Sequence, residues 1–261
     1  MCVIIVKKNN FNLTRKELKR NWDGNPDGGG FMFASQGVLH VIKGLFSFRH
    51  FYKIFRKYEN CYPKADFVIH MRVATSGKRN HENCHPFYIN DNLAFSHNGI
   101  FSGLGDKDHS DTYQLNEEIF KKLPDDFMVI KEIVDAVIDY VEGSGSKIVL
   151  KDNKGAITIV NEAAGKWDEG IWYSSGHYTP IYTSRTTAKN ASLSLNGCNE
   201  YDNNSDIISG ATIDGERYCH FCNTWLDSRY DINYSYGAVY CGICGEWLAS
   251  EDESVLDYLR G

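Results

Sequence analysis

The sequence predicts an α+β fold in which sheets pack between helical layers, followed by a small cysteine-rich module. Three observations carry this. Apolar runs of strand length precede and follow two longer segments of helical periodicity. The stretch 185–217 loses that periodicity and is rich in Asn, Ser, Thr, Gly and Asp, the composition of a flexible linker. Beyond it, two Cys-x-x-Cys pairs fall in an aromatic segment. The chain therefore divides into a main domain over 1–184, a polar linker over 185–217 and a terminal module over 218–261.

The elements follow in order. Val3 to Val6 reads as an apolar strand. Thr14 and Glu17 have capping-box spacing, so a short helix starts there. Asn25-Pro26-Asp27-Gly28-Gly29-Gly30 is turn-forming and leads into a strand over Phe31 to Ala34. From Ser47 to Tyr58, Phe48, Phe51, Ile54, Phe55 and Tyr58 recur at helical spacing. Phe67 to Arg72 and Leu93 to His97 read as buried strands. Amphipathic helices are expected over Thr112 to Leu123 and Phe127 to Val141. Lys147 to Leu150 and Ala156 to Val160 form a hairpin turning at Asp152-Asn153-Lys154-Gly155, and Ile171 to Tyr173 is a further strand. How these strands pair is not written in the sequence.

Composition narrows the function classes. The 261 residues are 42% hydrophobic and 24% charged, ordinary for a soluble globular protein. A formal charge of −6 advertises no basic surface for nucleic acid, although a local patch stays open. No apolar run approaches the ~20 residues that span a bilayer, and the N-terminus lacks a signal-peptide layout. The expected location is cytoplasmic. Four of eight cysteines sit in the C-terminal pairs. Cys61, Cys84 and Cys198 are scattered and read as reduced thiols.

Several residues could carry chemistry, each beside a plainer reading. Cys2 directly follows Met1. Removal of that methionine would leave a thiol and a free α-amine on one residue, nucleophile and base together. Taken alone, Cys2 reads as a buried strand cysteine. Arg72 in His70-Met71-Arg72-Val73-Ala74-Thr75-Ser76-Gly77 can grip a carboxylate by two parallel hydrogen bonds; its plain reading is a surface ion pair. Asn98-Gly99, following the strand Leu93 to His97, can aim a side-chain amide and a backbone N–H at one oxyanion, or simply turn a hairpin. Asp111 in Ser110-Asp111-Thr112 can cap a helix or hold an ammonium group.

As an ordered set these pieces, with His85-Pro86 between them, resemble the glutaminase domain of the class II glutamine amidotransferases, which are N-terminal-nucleophile hydrolases. The resemblance runs over about residues 2–182 and is closest over 67–113. It implies a four-layer αββα sandwich and hydrolysis of L-glutamine to glutamate and ammonia. It further implies Cys2 as nucleophile, Asn98 and Gly99 as the oxyanion hole, Arg72 with Thr75 on the substrate carboxylate, and Asp111 on its ammonium. His85 matches a histidine bordering the pocket. Members that make amino sugars commonly carry Trp and His where this chain has Val73 and Ser76. Trp172-Tyr173-Ser174-Ser175 looks like an element of stand-alone, often phage-encoded, members. No synthase domain of adequate length is present, so an ammonia-accepting synthase on another chain is the expected partner. Two rivals remain: a silent adaptor that binds protein or nucleic acid, and an amidase acting on a γ-glutamyl compound.

Cys219-His220-Phe221-Cys222 and Cys241-Gly242-Ile243-Cys244 are separated by eighteen residues. Two knuckles at that separation suit a tetrahedral Zn2+ site, so Cys219, Cys222, Cys241 and Cys244 are read as ligands of a structural zinc ribbon. Four thiolates close the shell, so no catalytic cofactor is expected. The aromatic residues around them read as the module's core.

Overall fold

The computed structural model describes residues 2–175 in full and, beyond them, only the backbone of five strands. Strand β1 (Val3–Lys7) leads to helix α1 (Arg15–Asp23), which opens on the expected capping box. Thr14 accepts from the Glu17 N–H, and the Glu17 carboxylate accepts from the Thr14 N–H. β2 (Gly29–Ser35) and β3 (Val38–Leu45) pair as a hairpin. Helix α2 (Phe48–Cys61) is capped by Ser47, whose hydroxyl accepts from the His50 N–H. After β4 (Phe67–Met71) come β5 (Phe87–Asn90), β6 (Leu93–Asn98), α3 (Asp111–Glu118) and α4 (Lys131–Gly143). The hairpin β7 (Lys147–Asp152) and β8 (Ile157–Val160) and the short pair β9 (Lys166–Asp168) and β10 (Ile171–Tyr173) complete this part.

Two antiparallel sheets result, one ordered β3-β2-β4-β1-β10-β9 and the other β5-β6-β7-β8. Side-chain alternation then sorts three apolar clusters. Val3, Ile5, Phe31, Phe33, Phe67 and Tyr173 face Leu18 and Trp22 of α1 and Phe51, Ile54 and Phe55 of α2. Their neighbours Ile4, Val6, Met32, Val68 and Trp172 meet Ala94 and Val149 of the other sheet. The far side of that sheet, through Phe95, Ile148 and Leu150, packs on Leu115, Phe127 and Val141. Each buried Phe contributes about 1.5–3 kcal/mol of transfer free energy. The order is helices, sheet, sheet, helices, compatible with the expected sandwich.

Strands β3, β5 and β9 were not among those expected, and all three are sheet edges. The fourth edge, β8, was expected, so edge position alone does not hide a strand. The expected helix Thr112 to Leu123 breaks after Glu118 into a 3₁₀ turn, Phe120–Lys122. Phe120 packs edge-on against Phe95 and stacks with Phe127, and that packing overrides helical continuation. The helix expected from Phe127 likewise begins as a 3₁₀ turn, with α4 starting at Lys131. Asn98-Gly99 is not a hairpin turn: β6 pairs with β7, and the chain leaves Asn98 into a loop.

Beyond residue 175, β11 (Gly210–Ile213) pairs with β12 (Glu216–Cys219), overlapping the end of the stretch read as a linker. β13 (Ile232–Ser235), β14 (Ala238–Cys241) and β15 (Trp247–Ser250) form a three-stranded sheet. The side chains of Cys219, Cys222, Cys241 and Cys244 lie outside the described residues, and so does the zinc reading. Among the described residues, no His, Cys, Asp and Glu cluster suits a metal ion, and no helix is long and apolar enough to cross a membrane. Cys84 is a free buried thiol, as expected. Cys61 corrects its reading: it is disulfide-bonded. Spacing along a chain does not report which thiols meet.

Candidate active site

β1 lies between β4 and β10 at the centre of its sheet. Ile4 and Val6 point between the sheets, and the same alternation brings Cys2 to that side. The Cys2 Sγ accepts from the Val73 N–H at 3.3 Å and donates to the Val73 carbonyl at 3.4 Å. Burial pushes its pKa up, opposed by the Val73 N–H and by the Arg72 charge.

The oxyanion candidates sit at the end of β6. Gly99 packs so closely on Ser146 that a Cβ there would lie 2.1 Å from the Ser146 Oγ, so only glycine fits. Asn98 is 1% exposed. Its Nδ2 donates to the Ser174 Oγ at 2.7 Å and to the Ser174 carbonyl at 3.4 Å. Its Oδ1 is buried without a partner.

Arg72 continues from β4 and is buried. Its Nη2 donates to the Ser76 carbonyl at 2.7 Å and its Nη1 to the Lys78 carbonyl at 3.0 Å. These bonds aim the guanidinium while leaving further N–H groups for a ligand. Asp111 opens α3, but it is Ser110 that caps the helix, accepting from the Tyr113 N–H. The Asp111 carboxylate accepts from the Phe101 N–H at 2.9 Å and the Thr112 N–H at 2.8 Å. Asn83, wholly buried, joins the two loops. It donates to the Lys78 and Asp108 carbonyls and accepts from the Ser110 N–H at 2.7 Å. Gly77 sits at φ +70, where a Cβ would strike the Ser110 N at 2.5 Å.

Three histidines stack behind this frame. His70 and His85 lie 3.9 Å apart, and His85 and His97 6.4 Å apart. His70 Nε2 donates to the His97 carbonyl, and His85 Nδ1 accepts from the His97 N–H. His97 Nδ1 meets the Thr112 Oγ1 at 2.7 Å. Burial lowers His70 and His97 to about 3 and His85 well below its ordinary value, so all three are neutral near pH 7.

Cys2, Arg72, Thr75, His85, Gly99 and Asp111 line one narrow cleft, whose cavity volume is about 20 Å³. Asn98 is not one of the lining residues; it adjoins the lining Gly99, and its Nδ2 is held by Ser174. The sequence reading missed Ser174, Asn83 and His97 as parts of this construction. Ser174 was in view only within an aromatic-serine element, and Asn83 and His97 carried no signal beyond lying next to Cys84 and Asn98.

Comparison with known proteins bears on the same residues. The family described as glutamine amidotransferases class-II matches residues 13–115. An uncharacterized protein of Methanocaldococcus jannaschii is 28% identical over 114 residues, which is 42% of this chain and 32% of that protein. The chain thus spans about a third of the length of this curated relative. Arg72, Thr75, His85, Asn98, Gly99 and Asp111 fall inside the matched segment, and Cys2 precedes it. Over that segment the chain is similar to a class II glutamine amidotransferase domain.

Proposed function

We propose that this chain is a class II glutamine amidotransferase-type enzyme that hydrolyses the side-chain amide of L-glutamine. The observation that carries the reading is convergence: Cys2, Arg72 and Asp111, far apart in sequence, line one cleft. A cation and an anion beside a thiol suit a free amino acid, because each charged end finds its opposite.

Removal of Met1 frees the Cys2 amine, which takes the thiol proton. The sulfur attacks the amide carbon as the carbonyl oxygen takes negative charge near the Gly99 N–H and the Asn98 carboxamide. The C–N bond breaks, the proton goes to nitrogen and ammonia leaves. Water then cleaves the thioester, restoring the thiol and releasing glutamate. His70, His85 and His97 stay neutral and position the backbone of the site. They move no proton in this scheme.

Ammonia becomes ammonium once free in water, so a synthase on another chain is the proposed acceptor. For the terminal module we retain a structural Zn2+ held by Cys219, Cys222, Cys241 and Cys244. The cysteine spacing supports it, and each pair begins at the last residue of a strand, β12 or β14. In the proposal this metal stabilises the module and takes no part in amide hydrolysis.

The test is glutamate release from glutamine by the full chain and by Cys2→Ala, with intact mass reporting Met1. Release by the first, background from the second and a mass lacking methionine are expected. Equal release from both sinks the reading.

A further inference from the structure

The ladder between β1 and β10 ends in an unusual way. The last paired residue of β10 is Tyr173, opposite Ile5. One residue on, the Ser174 N–H still donates to the Ile4 carbonyl at 3.0 Å. The return bond is made by a side chain: the Ile4 N–H donates to the Ser174 Oγ at 2.8 Å. The hydroxyl takes the place of a backbone acceptor and leaves the Ser174 carbonyl free to face the second sheet.

That carbonyl and the same hydroxyl are the partners of the Asn98 Nδ2. Two acceptors on one side of the carboxamide select its nitrogen end. The opposite orientation would set the Asn98 oxygen against the Ser174 carbonyl and bury an amide N–H without a partner. Ser174, 1% exposed, thus joins the strand that bears the nucleophile to the strand that bears the oxyanion candidate. One hydroxyl reports the position of each to the other.

We infer that Ser174 is a positioning residue: its hydroxyl holds the Asn98 carboxamide with the nitrogen turned toward the Cys2 strand. This rests on the glutaminase reading, in which one Nδ2 hydrogen stays on the Ser174 Oγ and the other, held only at 3.4 Å by the Ser174 carbonyl, turns to the developing negative charge. Ser174 does not touch the substrate, and it stands apart from Arg72 and Asp111, so its loss leaves ground-state binding intact. The carboxamide of a Ser174→Ala protein lacks the better of its two acceptors and turns away from the oxyanion in part of the population.

The experiment measures steady-state glutamate release by the full chain, wild type, Ser174→Ala, Asn98→Ala and the double variant, with thermal unfolding of each. Ser174→Ala is expected to lower kcat by about 10- to 100-fold with KM unchanged. Asn98→Ala is expected to lower it by about 100- to 1,000-fold, and the double variant no further than Asn98→Ala alone. If Ser174→Ala unfolds, Ser174→Cys keeps a weak acceptor in place, and a smaller fall in kcat at constant KM is expected. Unchanged kcat, a raised KM, or losses that multiply in the double variant overturn the role of Ser174 while leaving the glutaminase reading standing. Wild type no faster than Cys2→Ala overturns that reading and the role of Ser174 with it.

Discussion

The strand-borne half of the cleft and its loop-borne half are held by different means. Cys2, Ser174 and Asn98 sit at the ends of β1, β10 and β6, in ladders whose neighbours are fully buried. Their positions follow from strand register. Arg72 and Asp111 depend instead on loops 73–86 and 99–110, which contain no regular structure. There the Arg72 guanidinium, Asn83 and Ser110 replace the ladder with side-chain bonds to backbone. Such an arrangement lets chemistry and recognition be tuned apart. In the proposed reaction the strand-borne half would set the rate of bond breaking, and the loop-borne half which molecule is admitted.

That division can be tested directly. The largest effect is expected from Arg72→Ala, which removes a charged fork from a buried wall. Its kcat/KM should fall by about 100- to 1,000-fold, mostly through KM; a fall confined to kcat would erase the distinction between the halves. Next comes acid. His70 and His97 have folded pKa values of about 3, below the ~6.5 of an unfolded histidine. The unfolded chain therefore binds more protons below pH 6.5, and stability that is full above that pH is lost as pH falls toward 3. Between pH 6.5 and 5 each should cost about 1.5–2 kcal/mol. Urea midpoints at the two pH values read this out, and no shift would show that these rings are not held neutral. The smallest effect is expected from Asn83→Ala, which loosens the seam between Lys78 and Ser110. A rise in KM of about tenfold at nearly constant kcat is expected, whereas a kcat loss with unchanged KM would place Asn83 with the strands.

Much of this was legible because it is local. The Thr14 and Glu17 spacing gave a capping box, and Phe48, Phe51, Ile54 and Phe55 gave the buried face of α2. Cys2, Arg72 and Asp111 were named from residue type and order, and the fold brings them to one cleft. What stayed hidden is long-range. Ser174 meets Ile4 and Asn98 across 170 and 76 residues, and no periodicity encodes such a meeting. Edge strands β3, β5 and β9 were missed although the edge β8 was found, and Phe120 left its helix to pack on Phe95.

The paired contacts between the Cys2 sulfur and the Val73 backbone have one more consequence, for durability. Peroxide and common alkylating reagents attack the sulfur anion, and burial beside the Val73 backbone favours the protonated thiol over that anion. In the proposed reaction this leaves the nucleophile chemically quiet between turnovers. Its reactivity awakens only when a base is free to receive the proton and a ligand of the right shape fills the cleft.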